Sequence, residues 1–266
     1  TMGVYGLWPF LEKKGYRPQV LYQRPLSTKL DSSKLRVDVL GSFFPTIRYA
    51  YSTHSLELAH SIVEREIAKL GEKKQLVLYL DGPSATEKEK TAQYREGRRN
   101  KSLVRAQEAI DTLQTRISGN LRVRKRHFTA VNKNLRNAFY WCLEVRKAFA
   151  EYLVLGGWEV VICPTEADLK ISLDYLPNDV VVSRDSDLLV YQNIRTILRP
   201  KGRGRFLVYD TERMKTTLNL SDAQFTILGV VSKNDYNHNV PSLGCDLNIG
   251  IIRSLEAKGK CFHTLF

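Results

Sequence analysis

The chain has 266 residues, of which 43% are apolar, enough for one large domain with a sizeable core. A formal charge of +13 and a pI of about 9.6 favour a polyanionic partner. No secretory leader and no bilayer-length apolar run are recognisable, so no membrane-spanning helix is expected. The four cysteines, Cys142, Cys163, Cys245 and Cys261, form no close C-x-x-C pair. Neither a zinc knuckle nor a disulfide framework is therefore expected, and inert thiols in a reducing intracellular compartment are.

Taken in order, the chain opens with small and aromatic residues, and Leu7 to Lys14 reads as a short helix with Pro9 in its first turn. Thr1 ahead of Met2 reads as an expression remnant. Leu35-Arg36-Val37-Asp38-Val39-Leu40 reads as a core strand interrupted by one acid, which is costly unless the acid is paired or binds metal. Phe43 to Leu70 has apolar residues near the helical period. Leu76 to Leu80 is the next strand, ended by Asp81-Gly82-Pro83. Lys88 to Lys147 is helical in composition and strongly basic, with a break at Gly119-Asn120 and interleaved aromatics that include Tyr94, Phe128, Phe139, Tyr140 and Trp141.

Val160-Val161-Ile162 and Val180-Val181-Val182 are short, continuous β-branched runs, as strands buried on both faces of a parallel sheet read. Each precedes a close acidic pair, Glu166 with Asp168 and Asp185 with Asp187. Residues 195–198 and 205–208 read as a hairpin with a basic tip. A helix is expected from Ser221 through Val231, closed by Asn234-Asp235-Tyr236, then a turn at Val240 to Gly244 and a second helix over Leu247 to Leu255. The chain stops at Phe266 without a terminal feature, and the natural protein is expected to continue.

The acids Asp38, Asp81, Glu166, Asp168, Asp185, Asp187 and Asp235 recur at or just past strand and helix ends. Ligands of open α/β sheets bind at the carboxyl ends of the strands. Carboxylates crowded there repel one another, so a fold keeps them together when cations sit between them. Two metals about 3.5–4 Å apart need several such carboxylates, and would activate water and stabilise the leaving oxygen of a phosphodiester. With no histidine or cysteine cluster, the site suits magnesium, with manganese as a substitute, better than zinc. Lys88 and Arg95, seven residues apart on one predicted helix face, suit a scissile phosphate. The basic segment around them, Arg98 and Arg99 included, offers a positive path for a nucleic-acid backbone, and its aromatics suit unpaired bases.

By these same residues the chain resembles the flap-endonuclease/XPG family of structure-specific 5′ nucleases, as a divergent member. The matching motifs are M-G-V-Y-G-L, V-D-V-L-G-S-F-F, Y-L-D-G-P, T-E-A-D, S-R-D-S-D-L-L and V-S-K-N-D-Y, in the family's order and over nearly the whole chain. The resemblance implies a PIN-like α/β fold: a mostly parallel twisted sheet flanked by helices, with a basic helical arch and a C-terminal helix–two-turn–helix. It implies one nuclease domain over residues 1–266, with the arch at about residues 84–148 and the helix–two-turn–helix at about residues 222–258. All seven acids become metal ligands, and Lys88 and Arg95 the catalytic cations. Phe44 falls where relatives stack an aromatic near the cleaved nucleotide, and Gly3 at an amino terminus brought close to the site. Ser242 and Gly244 fall in the duplex-gripping turn, where relatives carry Gly-x-Gly and hold a potassium ion. The implied partner is branched or 5′-ended DNA, handled by a nuclear monomer in repair, replication or recombination. The clamp-binding tail of relatives is not evident.

The chain departs from the family pattern at Ser242, at Arg184, and in a longer arch that contains R-V-R-K-R-H. Simpler readings stand beside the sharper ones. Asp187 and Thr165/Glu166 also suit helix caps. Lys88 and Arg95 taken alone are ordinary solvated helix charges. Phe44 reads as core or as a stacking residue, and Phe139, Tyr140 and Trp141 as packing. Arg122 to Arg126 reads as a nuclear address, a disordered loop or, as favoured here, a mobile loop that touches DNA. Two alternatives in function remain: a nuclease-like binding protein without activity, against which the full set of acids argues, and an RNA-directed nuclease.

Overall fold

The computed structural model describes residues 3–22, 34–83, 86–202, 204–237 and 243–257. Its strands are β1 (Gln19–Tyr22), β2 (Leu35–Asp38), β3 (Leu76–Leu80), β4 (Glu159–Ile162), β5 (Val180–Val182), β6 (Thr196–Gly202) and β7 (Arg205–Asp210). They form one sheet in the order β1-β7-β6-β5-β2-β3-β4. Strands β2 to β6 run parallel, whereas β7 is antiparallel to β6 and β1 antiparallel to β7. The helices are α1 (Leu7–Lys13), α2 (Val39–Thr53), α3 (Leu56–Ala68), α4 (Glu89–Ser118), α5 (Lys125–Ala138), α6 (Leu143–Leu155), α7 (Ala167–Asp174), α8 (Thr211–Leu218), α9 (Asp222–Val231) and α10 (Cys245–Ala257).

Side-chain alternation along the strands splits the core into two layers. Val77, Tyr79, Val181, Ile197 and Tyr209 face α1 and α7 to α10. Leu35, Val37, Leu76, Leu78, Val180 and Val182 face α2, α3 and α6. The strand pairing that matters most is made by β2, where Leu35 lies opposite both Leu76 and Val180. Buried Arg36 fixes the partner elements. Its Nε donates to Asp179 at 2.6 Å and its Nη1 to the Tyr79 hydroxyl at 2.5 Å. Such a pair is tolerated inside a fold because both charges are matched.

The basic segment forms two helices that pack on each other. Only Ala106 is buried in α4, and α5 buries no residue, so the pair leans on itself rather than on the sheet. They join at Gly119 and Asn120, the latter at φ 50, as the sequence break anticipates.

Several elements differ from the sequence reading. The strand at Asp38 does not run on to Leu40, because Asp38 caps α2 and Val39 begins it. The helical run to Leu70 is two helices, parted at extended His54 and Ser55. Strand β4 is an edge strand with Ile162 half exposed, not a strand buried on both faces. The R-V-R-K-R-H stretch is not a loop throughout, since Lys125, Arg126 and His127 form the first turn of α5. Helix α9 ends at Val231, so Asp235 lies in the irregular segment beyond it. Helix α6 begins at Leu143 and packs on β4. Strand β1 and helix α8 have no counterpart in the sequence reading.

Candidate active site

Because β2, β3, β4 and β5 are parallel, their carboxyl ends share one edge of the sheet, and the acids collect there. Asp38 closes β2 and is buried. Its Oδ1 accepts from Gly41 N at 2.8 Å and its Oδ2 from Ser183 Oγ at 2.7 Å. Gly41 permits this fold-back, since a Cβ there would collide with the Asp38 carboxylate and Ser183 Oγ. Asp81 follows β3 and accepts from Ala167 N at 2.8 Å. Arg146 secures that turn from α6, with its Nη1 donating to Asp81 O at 2.8 Å and Gly82 O at 3.0 Å.

Glu166 stands at the start of α7 and Asp168 in its first turn, and no side-chain cap bond is made by Glu166. Asp185 follows β5 and accepts from Asp187 N at 3.0 Å. Asp187 opens a short 3₁₀ turn, and its buried Oδ1 has no hydrogen-bond partner. The capping reading thus does not account for Glu166 or Asp187.

Two cations from the α4 region enter this group. Lys88, nearly buried, makes an ion pair with Glu166 and lies 3.9 Å from Asp235 Oδ2. Arg95, exposed, donates to Asp235 Oδ1 at 2.6 Å. Thr91 Oγ1 holds the Asp235 backbone oxygen at 2.8 Å, so α4 grips the segment that carries the last acid. Tyr236 completes the contact. Its ring lies under the Lys88 ammonium, 4.2 Å from the centroid, and its hydroxyl donates to Glu166 Oε2 at 2.6 Å.

The electrostatics tie the acids into one group. Burial, and then Asp81, push the Asp38 carboxyl well above its usual range. Burial also raises Asp81, and Glu166 adds to it. Burial, and then Glu166, raise Asp168. Burial lifts Asp185 to about 7, with Asp168 and Asp235 contributing. Asp187 goes up to about 8, from burial and then Asp185 and Asp168. Burial opposes the Lys88 charge, but Glu166, Asp168 and Asp235 more than offset it, and its pKa is raised.

Among the described residues, no three carboxylate, histidine or cysteine groups are already gathered closely enough to hold a metal ion. The donor set nevertheless fits one. It is all oxygen, it is crowded enough that burial and mutual repulsion push carboxyls up, and it keeps a buried oxygen of Asp187 without a partner. Lys88 and Arg95 pair with only two of the seven acids, Glu166 and Asp235.

The remaining candidates are spread around this edge. Gly3 touches it directly: at φ +87, an added Cβ would run into Asp185 Oδ1, Ser186 Oγ and the Ser186 amide nitrogen. The segment is held there by Ser186 Oγ, which donates to Val4 O at 3.2 Å, and by Tyr5 N, which donates to Lys233 O at 2.7 Å. Phe44, half-buried, meets Phe139 edge to face at 6.1 Å and stacks under Arg48. Arg98 is exposed, and Arg99 lies 4.5 Å over the Tyr140 ring. Trp141 is buried against Tyr51 and Phe149, as packing. Gly244 precedes α10, which packs on α9, while Ser242 lies outside the described residues. The sequence reading assigned no role to Tyr236 or Arg146. Tyr236 follows an acid in N-D-Y, which is the one local signal for it.

No family model matches the chain, and no curated protein does. Solved structures do. The catalytic core of Rad2 in complex with DNA substrate aligns with TM-score 0.58 at 17% identity, over 96% of this chain and 69% of that one. Human GEN1 in complex with Holliday junction DNA aligns with TM-score 0.56 at 16% identity, over 94% of this chain and 55% of that one. Flap endonuclease-1 from Methanococcus jannaschii aligns with TM-score 0.57 at 17% identity, over 92% of this chain and 78% of that one. The mixed seven-stranded sheet, its flanking helices and these alignments agree: the chain has the fold of the flap-endonuclease/XPG-like PIN nucleases.

Proposed function

We propose that the chain is a metal-dependent nuclease that hydrolyses DNA phosphodiesters at flaps, branches or 5′ ends. The observation that carries this reading is Lys88, nearly buried and ion-paired among carboxyls that burial and one another push upward. Structural ion pairs are seldom built with such an excess of one sign, whereas active sites are. DNA is favoured because the solved structures sharing the fold include Rad2 with a DNA substrate and GEN1 with Holliday junction DNA.

Asp38, Asp81, Glu166, Asp168, Asp185, Asp187 and Asp235 would hold two magnesium ions, replaceable by manganese, whose chemistry when bound would be activation of water and stabilisation of the leaving oxygen. The chain's own groups do the rest. Hydrogen bonds from Gly41 N and Ser183 Oγ fix the Asp38 carboxylate before any substrate arrives. Lys88 and Arg95, both reaching over Asp235, neutralise the scissile phosphate as its charge builds. Tyr236 keeps Lys88 and Glu166 in register. The α4–α5 pair offers its basic surface to a strand approaching this edge.

The test is a panel of end-labelled flap, bubble, nick and four-way-junction DNAs, with matched RNA flaps, incubated with magnesium or with EDTA. Magnesium-dependent cleavage that Asp185→Asn abolishes supports the reading. Binding without cleavage, unchanged by Asp185→Asn, supports an inactive binding protein instead, and cleavage confined to RNA an RNA-directed enzyme.

A further inference from the structure

A second group of cations lies on the same edge of the sheet. Strand β6 is parallel to β5, with Leu198 opposite Val182, so Arg199 and Lys201 emerge beside Arg184, which follows β5. Alternation puts Arg199 on the face that Ile197 presents to α1, and Lys201 stands at the register shift between Pro200 and Gly202. There the Arg199 guanidinium lies 4.2 Å from the Trp8 ring centroid, and Trp8 meets Tyr209 at 4.5 Å. Arg205, the first residue of β7, flanks them.

These charges are not matched as others in the molecule are. Buried Arg36 has Asp179 and Tyr79. Arg184 and Arg199 are half-buried, yet none of the ion pairs among the described residues involves Arg184, Arg199, Lys201 or Arg205. The Arg184 Nε is buried without an acceptor. Leaving such a group buried and unpaired is costly, and planar guanidiniums match phosphate oxygens two at a time.

We propose that Arg184, Arg199 and Lys201 form a second phosphate seat, which holds phosphodiester oxygens of the bound nucleic-acid strand. The sheet order gives its place: β6 lies on one side of the β5–β2 acids, while α4 follows β3 on the other. The strand is thus gripped on both sides of the reacting bond, by the α4 cations and by this seat. The inference rests on the nuclease reading and names a contact which that reading lacks.

The test uses the full chain in EDTA and a fluorescent flap DNA, with affinity measured across a series of KCl concentrations. For Arg184→Gln/Arg199→Gln, the slope of log K against log salt is expected to shrink by roughly 1.5, two phosphate contacts' worth. Lys201→Glu, at an exposed position, is expected to weaken binding several-fold. Slopes and affinities equal to wild type in both variants overturn the proposal. A change seen with 5′-phosphorylated flaps but not with 5′-hydroxyl flaps overturns it in favour of a terminal phosphate monoester. Wild-type cleavage in magnesium, run alongside, separates the two ideas: a chain that cuts but shows no altered slope loses only the seat, and one that neither binds nor cuts loses the nuclease reading.

Discussion

The Nζ of Lys88 lies 4.2 Å from the centroid of the Tyr236 ring, while the hydroxyl of that tyrosine donates to Glu166, the acid that pairs with Lys88. One residue thus holds both members of an ion pair. The ring stabilises the cation by about 0.5–2 kcal/mol, and a hydrogen bond to a charged acceptor is worth about 1.5–3 kcal/mol. Tyr236→Phe keeps the ring and loses the bond. It is expected to slow single-turnover cleavage about tenfold, and Tyr236→Ala to slow it further. An unchanged rate in both would remove Tyr236 from the mechanism.

In the proposed mechanism Lys88 acts on the transition state rather than holding DNA, a role suited to an ammonium nearly buried among acids. Lys88→Ala is expected to lower the cleavage rate about a hundredfold or more, with DNA affinity little altered. Single-turnover rates and a binding titration in EDTA measure the two separately. Loss of affinity with a retained rate would contradict the assignment.

Acid titration in the metal-free chain follows a definite sign. The folded values of Asp185 and Asp187, about 7 and about 8, lie above the usual carboxylate value of 3.8. Folding therefore favours their protonated forms. Their contribution to stability is present below pH 4 and is lost as the pH rises through 7 and 8. Asp187→Asn removes one such charge, so in EDTA at pH 8 it is expected to raise Tm by roughly 3 °C for each kcal/mol relieved. The gain should fade at pH 5 and shrink when magnesium is added at pH 8, because an ion that binds only the folded state stabilises wild type by mass action. Thermal denaturation over this grid gives the answer, and an equal gain at both pH values counts against the scheme.

Gly3 and Gly6 both have positive φ, at 87° and 79°, but differ in surroundings. A Cβ at Gly3 meets Asp185 and Ser186, whereas one at Gly6 meets nothing within 4 Å. Gly6→Ala carries only the left-handed backbone cost of about 1–2 kcal/mol. Gly3→Ala carries that cost and also displaces Asp185. Both variants should melt earlier, but only Gly3→Ala should cut more than about tenfold slower, as a misplaced catalytic group does. Parallel melting and cleavage assays distinguish them.

Local signals were legible where a few neighbouring residues decide the outcome. Val180-Val181-Val182 reads as a buried strand and is one. Val160-Val161-Ile162 reads alike, yet it forms an edge, because which strands flank it is settled by distant chain segments. At Asp38 the apolar pattern favours a continued strand, but the carboxylate's bond to Gly41 N starts a helix one residue later. Strand β1 is four mostly exposed residues whose partner is β7, so nothing nearby announces it. The acids stand out in sequence because each follows an apolar run. Tyr236 and Arg146 do not, since their meaning comes from Glu166, 70 positions away, and Asp81, 65 positions away.

The first helix is fastened to the last: Lys13 and Lys14 reach Asp246 of α10 at 2.6 and 2.7 Å, and Tyr5 is tied to Lys233. Gly3, which shapes the surroundings of Asp185, is therefore settled only once residues translated some 240 codons later have left the ribosome. A growing or prematurely ended polypeptide lacks both this clasp and Asp235. Such a chain is expected to be inert toward DNA, so the proposed activity would await synthesis of the segment that carries Asp246.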